Sequence, residues 1–577
     1  MKQNLSNNQI LLQECLKQEF KESSYYVTED NTNAQLQLNK FFELFGSSLL
    51  MKFTDVGNDD IEQGITGDGN DGGIDSMYVL LDGEPVKEDS DIQEMNIHKN
   101  PQIDFYIIQT KNQYGFKEDV VDKFKAISSN LLDMSKETGV YSKRYTEKVI
   151  SLFNLFRSLI MATIRKNPSI TFHFWYAANA NEIHPNLQQK KDELHEVIQQ
   201  KFPSAKCDVR YFGATELMNL YNSDTELILT LNLQESPISL GSDNYVALIN
   251  LPQFYKLIID NDGQLIRQMF DANVRDYQGK NAVNTSIYET LTNADGKDFW
   301  WFNNGVTIIC DRVTPITQKQ LTIQNPYIVN GLQTSTEIFN YFSKNESANP
   351  DDKRNILVRF LVPSEDDVRD KIIFATNNQT NIPKSALRAT DPIHLQIETY
   401  FRNKGIYYDR RKNYYKNQRK NPEDIISVSF LAQCLISTIM SQPDYARARP
   451  STILADEGKY KSLYVEHNEL EVYYKIAVIG LKIRKYLKKQ SSFSAAEQND
   501  ILFYVIFAYV ATKLQTTHIE FDNIKRLDID TMSDDEFGEI VNIVYNKYKE
   551  LGGNSHVAKS GKMTTEIIAG LFPQQQP

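Results

Sequence analysis

NDGGIDSMYVLLDG (70–83) and IDFYIIQTK (103–111) read as two halves of one site. The first leaves a glycine-rich turn and enters a strand, with Asp75 near its start. The second is a strand that closes on Gln109 and Lys111. Side chains at i and i+2 of a strand share a face. Gln109 and Lys111 therefore look out together, and Asp75 on a neighbouring strand can join them. An acid on one strand and Q-x-K at the end of the next is what a metal-dependent nuclease needs. Phosphodiester cleavage needs an activated water, an in-line pose and positive charge near the phosphorus, much of it supplied by Mg2+. Mg2+ prefers hard oxygen donors. Asp75 offers a carboxylate, and the Gln109 side-chain carbonyl or the Thr110 main-chain carbonyl offers a second donor. Lys111 places a cation beside the attacking water and the phosphate. Glycines 69, 72 and 73 let backbone approach a phosphate. Singly these residues have plainer readings, since an Asp after two glycines caps turns and a strand-end Lys is a solvated charge.

Outward from this pair the order is helix, strand, strand, helix, helix, strand, helix, strand. Residues 1–50 are expected to be helical. Leu36, Leu38, Phe41, Phe42, Phe45 and Leu49 lie along one stripe, with Lys40 and Glu43 beside it. Glu43 is the candidate for a further, helix-borne acid, with Asp71 as the alternative. Residues 55–73 read as a loop and 84–101 as an exposed connection. Helices are expected near 117–135, 144–166 and 187–201, and strands at 169–179 and 206–212. A Ser/Pro/Gly patch at 235–245 marks a boundary. The middle region, 246–420, has strand-like pieces at 305–313, 320–329 and 355–362. From about 425 the pattern is helical, with polar linkers near 445–460 and 488–498. The tail PQQQP reads as disordered.

The chain has 577 residues, of which 41% are hydrophobic, including 30 Phe and 31 Tyr, enough for three or four packed domains. A net charge of −12 argues against a protein that coats nucleic acid uniformly and leaves room for a local basic patch. Cys15, Cys207, Cys310 and Cys434 have no zinc-ribbon or disulfide spacing, which suits a reducing cytoplasm. No secretory apolar stretch opens the sequence. The longest apolar run, ILFYVIFAYVAT (501–512), falls short of a membrane span and reads as a buried helix. No membrane partner is expected.

The glycine-rich turn, the acid entering a strand, the second strand and the Q-x-K resemble the PD-(D/E)xK nuclease superfamily in its Mrr-like branch. The resemblance implies an α/β restriction-endonuclease-like domain over 1–235. In it Asp75 is the metal-binding acid, Gln109 stands where Asp or Glu is usual, Lys111 is the catalytic lysine and Glu43 is the helix acid. It also implies Mg2+ (or Mn2+) as cofactor and DNA, ahead of RNA, as substrate. Gln109 carries no charge, so the metal has one anionic ligand fewer.

In the middle region FWWFNNGVTIICD (299–311), YIVNGLQTSTEIF (327–339) and IIFATNNQTNIPKSALRATDP (372–392) embed dense polar residues in apolar sequence. Buried amides and hydroxyls must hydrogen-bond to something, either turns of the chain itself or a ligand. Asn303, Asn304, Asn330, Gln333, Thr334, Asn378 and Gln379 are the candidate pocket. Together with DANVRDYQG (271–279) these runs resemble the AIPR family, named for abortive infection phage resistance. That implies a role in bacterial defence against phage. An α+β core is expected over 246–420 and an all-α region over 421–577, with a phage-derived trigger or a nucleotide as the expected effector. RNKGIYYDRRKNYYKNQRK (402–420) holds eight Lys/Arg, one Asp and interleaved tyrosines. Cations on phosphates and aromatics on bases hold nucleic acid, which nominates Arg410, Arg411, Lys412, Tyr414 and Lys416. A charge run is also a common solvated face. Three functions compete: a Mg2+-dependent endonuclease acting as a homodimer, a binding or sensing module with the nuclease fold but weak chemistry, and a nucleotide-binding regulator.

Overall fold

The computed structural model describes residues 5–25, 34–67, 69, 71–88, 92, 95, 97, 99–223, 227–241, 243–260, 263, 265–270, 282–292, 297–344, 351–363, 368, 369, 371, 372, 375, 391–410, 414–417, 420–465, 468–490 and 492–572. Contacts gather the chain into two compact units, one of residues 1–223 with 392–577 and one of residues 224–391. The unit holding the N-terminus is thus discontinuous. The expected ranges 1–235, 246–420 and 421–577 follow the sequence, whereas residues 392–420 pack with both chain ends.

In the first unit the run 102–111 is buried at all but its two end positions, as a strand covered on both faces must be. It forms β3 (Gln102–Lys111), central in a sheet of order β2-β1-β3-β4-β5, with β1 (Ser76–Leu81), β2 (Glu84–Pro85), β4 (Ser169–Ala178) and β5 (Lys206–Phe212). β1 runs antiparallel to β3, and β4 and β5 run parallel to it. Ile103, Phe105 and Ile107 face one core with Phe124, Phe153 and Phe156. Tyr106 and Ile108 face the other with Phe42, Phe45 and Leu217. The first core is covered by α4 (Asp119–Leu131), α5 (Glu147–Thr163) and α6 (Pro185–Lys201). The second is covered by α1 (Asn7–Glu22), α2 (Ala34–Leu50), α3 (Asn58–Gly64) and α7 (Ala214–Asn222). Each buried phenylalanine contributes about 1.5–3 kcal/mol.

Two details depart from the sequence reading. Leu36 is 57% exposed and leaves the apolar stripe of α2. The expected loop 55–73 contains α3, whose first turn holds Asp59 and Asp60, where the helix dipole favours acids. α3 is also anchored by the C-terminal helices. Asp59 accepts from Arg484 Nη1 at 2.8 Å and from the Ser427 hydroxyl, and Lys488 reaches Glu62 at 2.5 Å.

The C-terminal region is helical, as expected, around Leu470–Lys489 and Ala495–Leu514. Ile501 to Ala511 are buried at every position, so the long apolar run is core. No helix among the described residues is long and apolar enough to cross a membrane. The expected linker 445–460 is three short helices, Pro443–Ala448, Pro450–Ala455 and Glu457–Leu463. Two of them open on proline, whose fixed φ suits a first turn.

The second unit has a five-stranded and a three-stranded sheet. In chain order its strands are β6 (Ile228–Asn232), β7 (Ile238–Leu240), β8 (Asn244–Asn250), β9 (Val306–Ile309), β10 (Arg312–Thr317), β11 (Gln320–Gln324), β12 (Tyr327–Asn330) and β13 (Asn355–Leu361). β7 and β8 occupy the patch read as a domain boundary. Asn325, at φ 48°, splits the expected strand 320–329 into two. Gly305, before β9, has φ 78°, and a Cβ there would lie 2.5 Å from the Leu357 carbonyl oxygen. Gly305→Ala is therefore expected to cost at least about 1–3 kcal/mol, measured as a shift in the urea midpoint. A shift below about 0.5 kcal/mol contradicts this packing.

Candidate active site

Because β1 and β3 are antiparallel, the start of one lies beside the end of the other. Ser76 pairs with Ile108, so Asp75 stands one step further, opposite Gln109. Asp75 is 1% exposed. Its Oδ2 accepts the Thr110 amide at 2.7 Å and its Oδ1 meets Lys111 Nζ at 3.1 Å. Its own amide donates to the Ile108 carbonyl at 2.9 Å. The acid and the lysine singled out by the sequence thus converge, in a setting that fixes the carboxylate on backbone.

Burial pushes the Asp75 carboxyl up, against the opposing pull of the Lys111 ammonium and the Thr110 amide. Burial works the other way on Lys111, but Asp75, Glu43 and Asp71 outweigh it and hold the lysine pKa above its ordinary value. Lys111 is a cation at neutral pH. Glu43 lies near enough to contribute to that field because α2 approaches β3 closely. A Cβ on Gly46 would sit 2.9 Å from Thr110 Cγ2, and Glu43 lies one turn before Gly46 on the same helix face. Asp71 accepts the Gly73 amide on Oδ1 at 2.6 Å and turns the loop.

Gln109 is 1% exposed, and its Oε1 is a buried oxygen with no hydrogen-bond partner in the protein. Buried carbonyls are almost always satisfied, so a lone oxygen opposite a buried carboxylate fits a hard cation. Mg2+ takes such oxygens from one or two side chains and completes its shell with water and phosphate. Among the described residues no three His, Cys, Asp or Glu side chains converge as a metal cluster, so the donor set is lean in carboxylates.

Gln109 and Lys111 open onto a cavity of about 370 Å³ that is also lined by Asp71, Gly72, Gly73, Lys123, Arg144 and Tyr145. Lys123 and Arg144 were not visible as site residues in the sequence, because they come from α4 and the turn before α5 and meet the cavity only through the fold.

The other nominated residues separate. Asn303 Nδ2 donates to Thr334 Oγ1 at 3.1 Å, and its Oδ1 accepts the Gly305 amide at 2.9 Å. That joins two of the polar runs by hydrogen bonds of the chain itself. Asn304 gives its carbonyl to Arg359 at 3.3 Å. Asn330 pairs across the strands with Thr307. Gln333 lies in the first turn of α10 (Leu332–Lys344; α8 is Leu251–Leu257 and α9 Ala282–Thr292). Asn378 and Gln379 lie outside the described residues.

In the basic stretch Arg410 needs correction. It is 4% exposed, and its Nε binds Glu398 Oε2 at 3.0 Å, so its charge is spent inside the fold. Tyr415 is buried and donates to the same carboxylate. Tyr414 packs edge-on against Tyr415, and Lys416 reaches the Val56 carbonyl at 3.4 Å. Arg411 and Lys412 lie outside the described residues.

A second titratable cluster spans β3, β4 and β5. His173 Nε2 meets Asp104 Oδ1 at 3.0 Å and its Nδ1 meets Asp208 Oδ2 at 3.1 Å, while its ring stacks on Tyr106 at 4.2 Å. Burial opposes the imidazolium, but the hydrogen bonds to both carboxylates outweigh it and raise the His173 pKa above 6.5. A raised folded pKa gives stability that is full below the unfolded value, near pH 6.5, and lost as pH rises through the folded one. Urea stability is expected to fall as pH rises above about 6.5, by about 1.4 kcal/mol per unit of raised pKa. His173→Gln should flatten that profile, and an unchanged slope refutes the assignment.

The family model described as AIPR protein matches residues 270–552, a stretch that excludes Asp75, Gln109 and Lys111. No curated protein and no solved structure matches the chain.

Proposed function

We propose that this protein acts in bacterial abortive infection against phage and that its N-terminal α/β layers form a restriction-endonuclease-like domain. There it cuts DNA phosphodiester bonds with Mg2+. The AIPR match over residues 270–552 supports the defence role. The observation that carries the chemistry is the buried Asp75 held 3.1 Å from the Lys111 ammonium beside an unpartnered Gln109 oxygen.

In this reading Asp75 and Gln109 hold the metal and Glu43 adds charge from α2. When bound, the metal supplies charge neutralisation and an activated water. The chain's own groups do the rest. The Thr110 amide fixes the Asp75 carboxylate. Lys111, kept protonated by Asp75, Glu43 and Asp71, stabilises the negative charge that develops on the phosphate.

The test is nicking of supercoiled plasmid by the full chain with Mg2+ or Mn2+, with and without EDTA. Cleavage should require the metal and fall by about 10²–10³-fold in Asp75→Asn. Wild-type protein that binds DNA without nicking it sinks the reading. It would favour instead a weakly catalytic binding or sensing module, for which the neutral Gln109 and the lean donor set speak.

A further inference from the structure

We propose that Lys123 and Arg144 form a second phosphate seat beside Lys111. The seat holds the phosphate next to the one to be cut and receives the backbone of a single strand. This rests on the nuclease reading of the site. Among the described residues three cations from three separate segments, the end of β3, α4 and the turn before α5, line one cavity of about 370 Å³, against the carboxylate of Asp71. That volume is at the small end for ligand sites, room for one sugar–phosphate step and not for a duplex.

The two glycines of the D-G-G turn serve these residues. A Cβ on Gly73 would lie 2.3 Å from Lys123 Cδ, so the lysine stem lies across the turn at the cavity wall. A Cβ on Gly72 would lie 2.8 Å from the Tyr145 ring. Tyr145 is 3% exposed and takes a 2.7 Å hydrogen bond from Asn130. The Arg144 guanidinium sits 5.5 Å from the centre of that ring. A planar fork laid on a fixed aromatic is well suited to phosphate. Lys123 also pairs with Asp119 at 3.0 Å, with side-chain exposures of 44% and 57%. A pair so exposed is worth little and exchanges readily for a phosphate.

The experiment is fluorescence anisotropy of a labelled single-stranded DNA 12-mer with the full chain in Ca2+, across a salt series. Lys123→Ala and Arg144→Ala are each expected to weaken binding about 3–10-fold and to reduce the slope of log K against log salt by about 0.7. Lys123→Arg and Arg144→Lys should keep the slope. Lys125→Ala, on the same helix but paired with Asp122 and Glu193, should leave it unchanged. Thermal melts verify folding.

Unchanged slopes in folded Lys123→Ala and Arg144→Ala overturn the seat, as does failure of the wild-type protein to bind the strand. If the slopes fall but no Mg2+-dependent cleavage occurs, the seat stands and the nuclease reading fails. If cleavage occurs and depends on Asp75 while the slopes hold, the nuclease reading stands and the seat fails.

Discussion

Lys111→Ala is expected to lower single-turnover cleavage by about 10²–10³-fold, the usual loss when one charge-stabilising donor is removed from an active site. The ammonium sits 3.1 Å from Asp75 and has no cationic substitute at the same carboxylate among the described residues. Lys111→Arg should recover little, because a planar fork does not fill the place of a compact point charge. Asp75→Asn should lose a similar factor. The double variant should be hardly slower than either single one, since groups acting as a unit are not additive. Independent, multiplying losses would place the two residues in separate roles and dismantle the site as described. A rate that falls far more than DNA affinity in both variants is the pattern expected of groups used mainly in the transition state.

The second large effect lies in the fold. Glu398→Ala is expected to cost about 3–5 kcal/mol, because it removes the carboxylate that the buried Arg410 Nε binds. The side chains are 1% and 8% exposed, and the Tyr415 hydroxyl donates to the other carboxylate oxygen at 3.0 Å. Replacing both members, as Glu398→Met with Arg410→Met, should recover most of the loss, since removing a buried pair together spares the desolvation of either ion. Urea unfolding of the four proteins measures this cycle. Arg410→Lys should also be destabilised despite keeping the charge. At a temperature where it remains folded, its DNA affinity should match the wild type. A specific loss of DNA binding would return Arg410 to the nucleic-acid surface.

These two residues also mark what was legible in the sequence. Asp75, Gln109 and Lys111 could be brought together on paper because strand periodicity and an antiparallel neighbour are local facts. Nothing local reveals Lys123 or Arg144, whose approach to Asp71 depends on how α4 and α5 lie against β3. Composition counted eight cations in 402–420 but not their burial, and so read Arg410 as a surface charge. α3 was hidden by its Asp and Gly content, although its acids are where a helix N-terminus wants them. The patch at 235–245 looked like a boundary because short edge strands and loops share a composition. The discontinuous first unit has no local marker at all, since it is defined by contacts between residues hundreds of positions apart.

The grip of Arg484 on Asp59 spans 425 residues of sequence. At roughly 5–20 residues per second, a ribosome takes about 20–85 s to make the second partner after the first has emerged. Through that interval the helix leading into the Asp75 turn lacks this anchor. The anchor closes only when the helix carrying Arg484 has been made, so synthesis itself delays the locking of the segment that leads into the site.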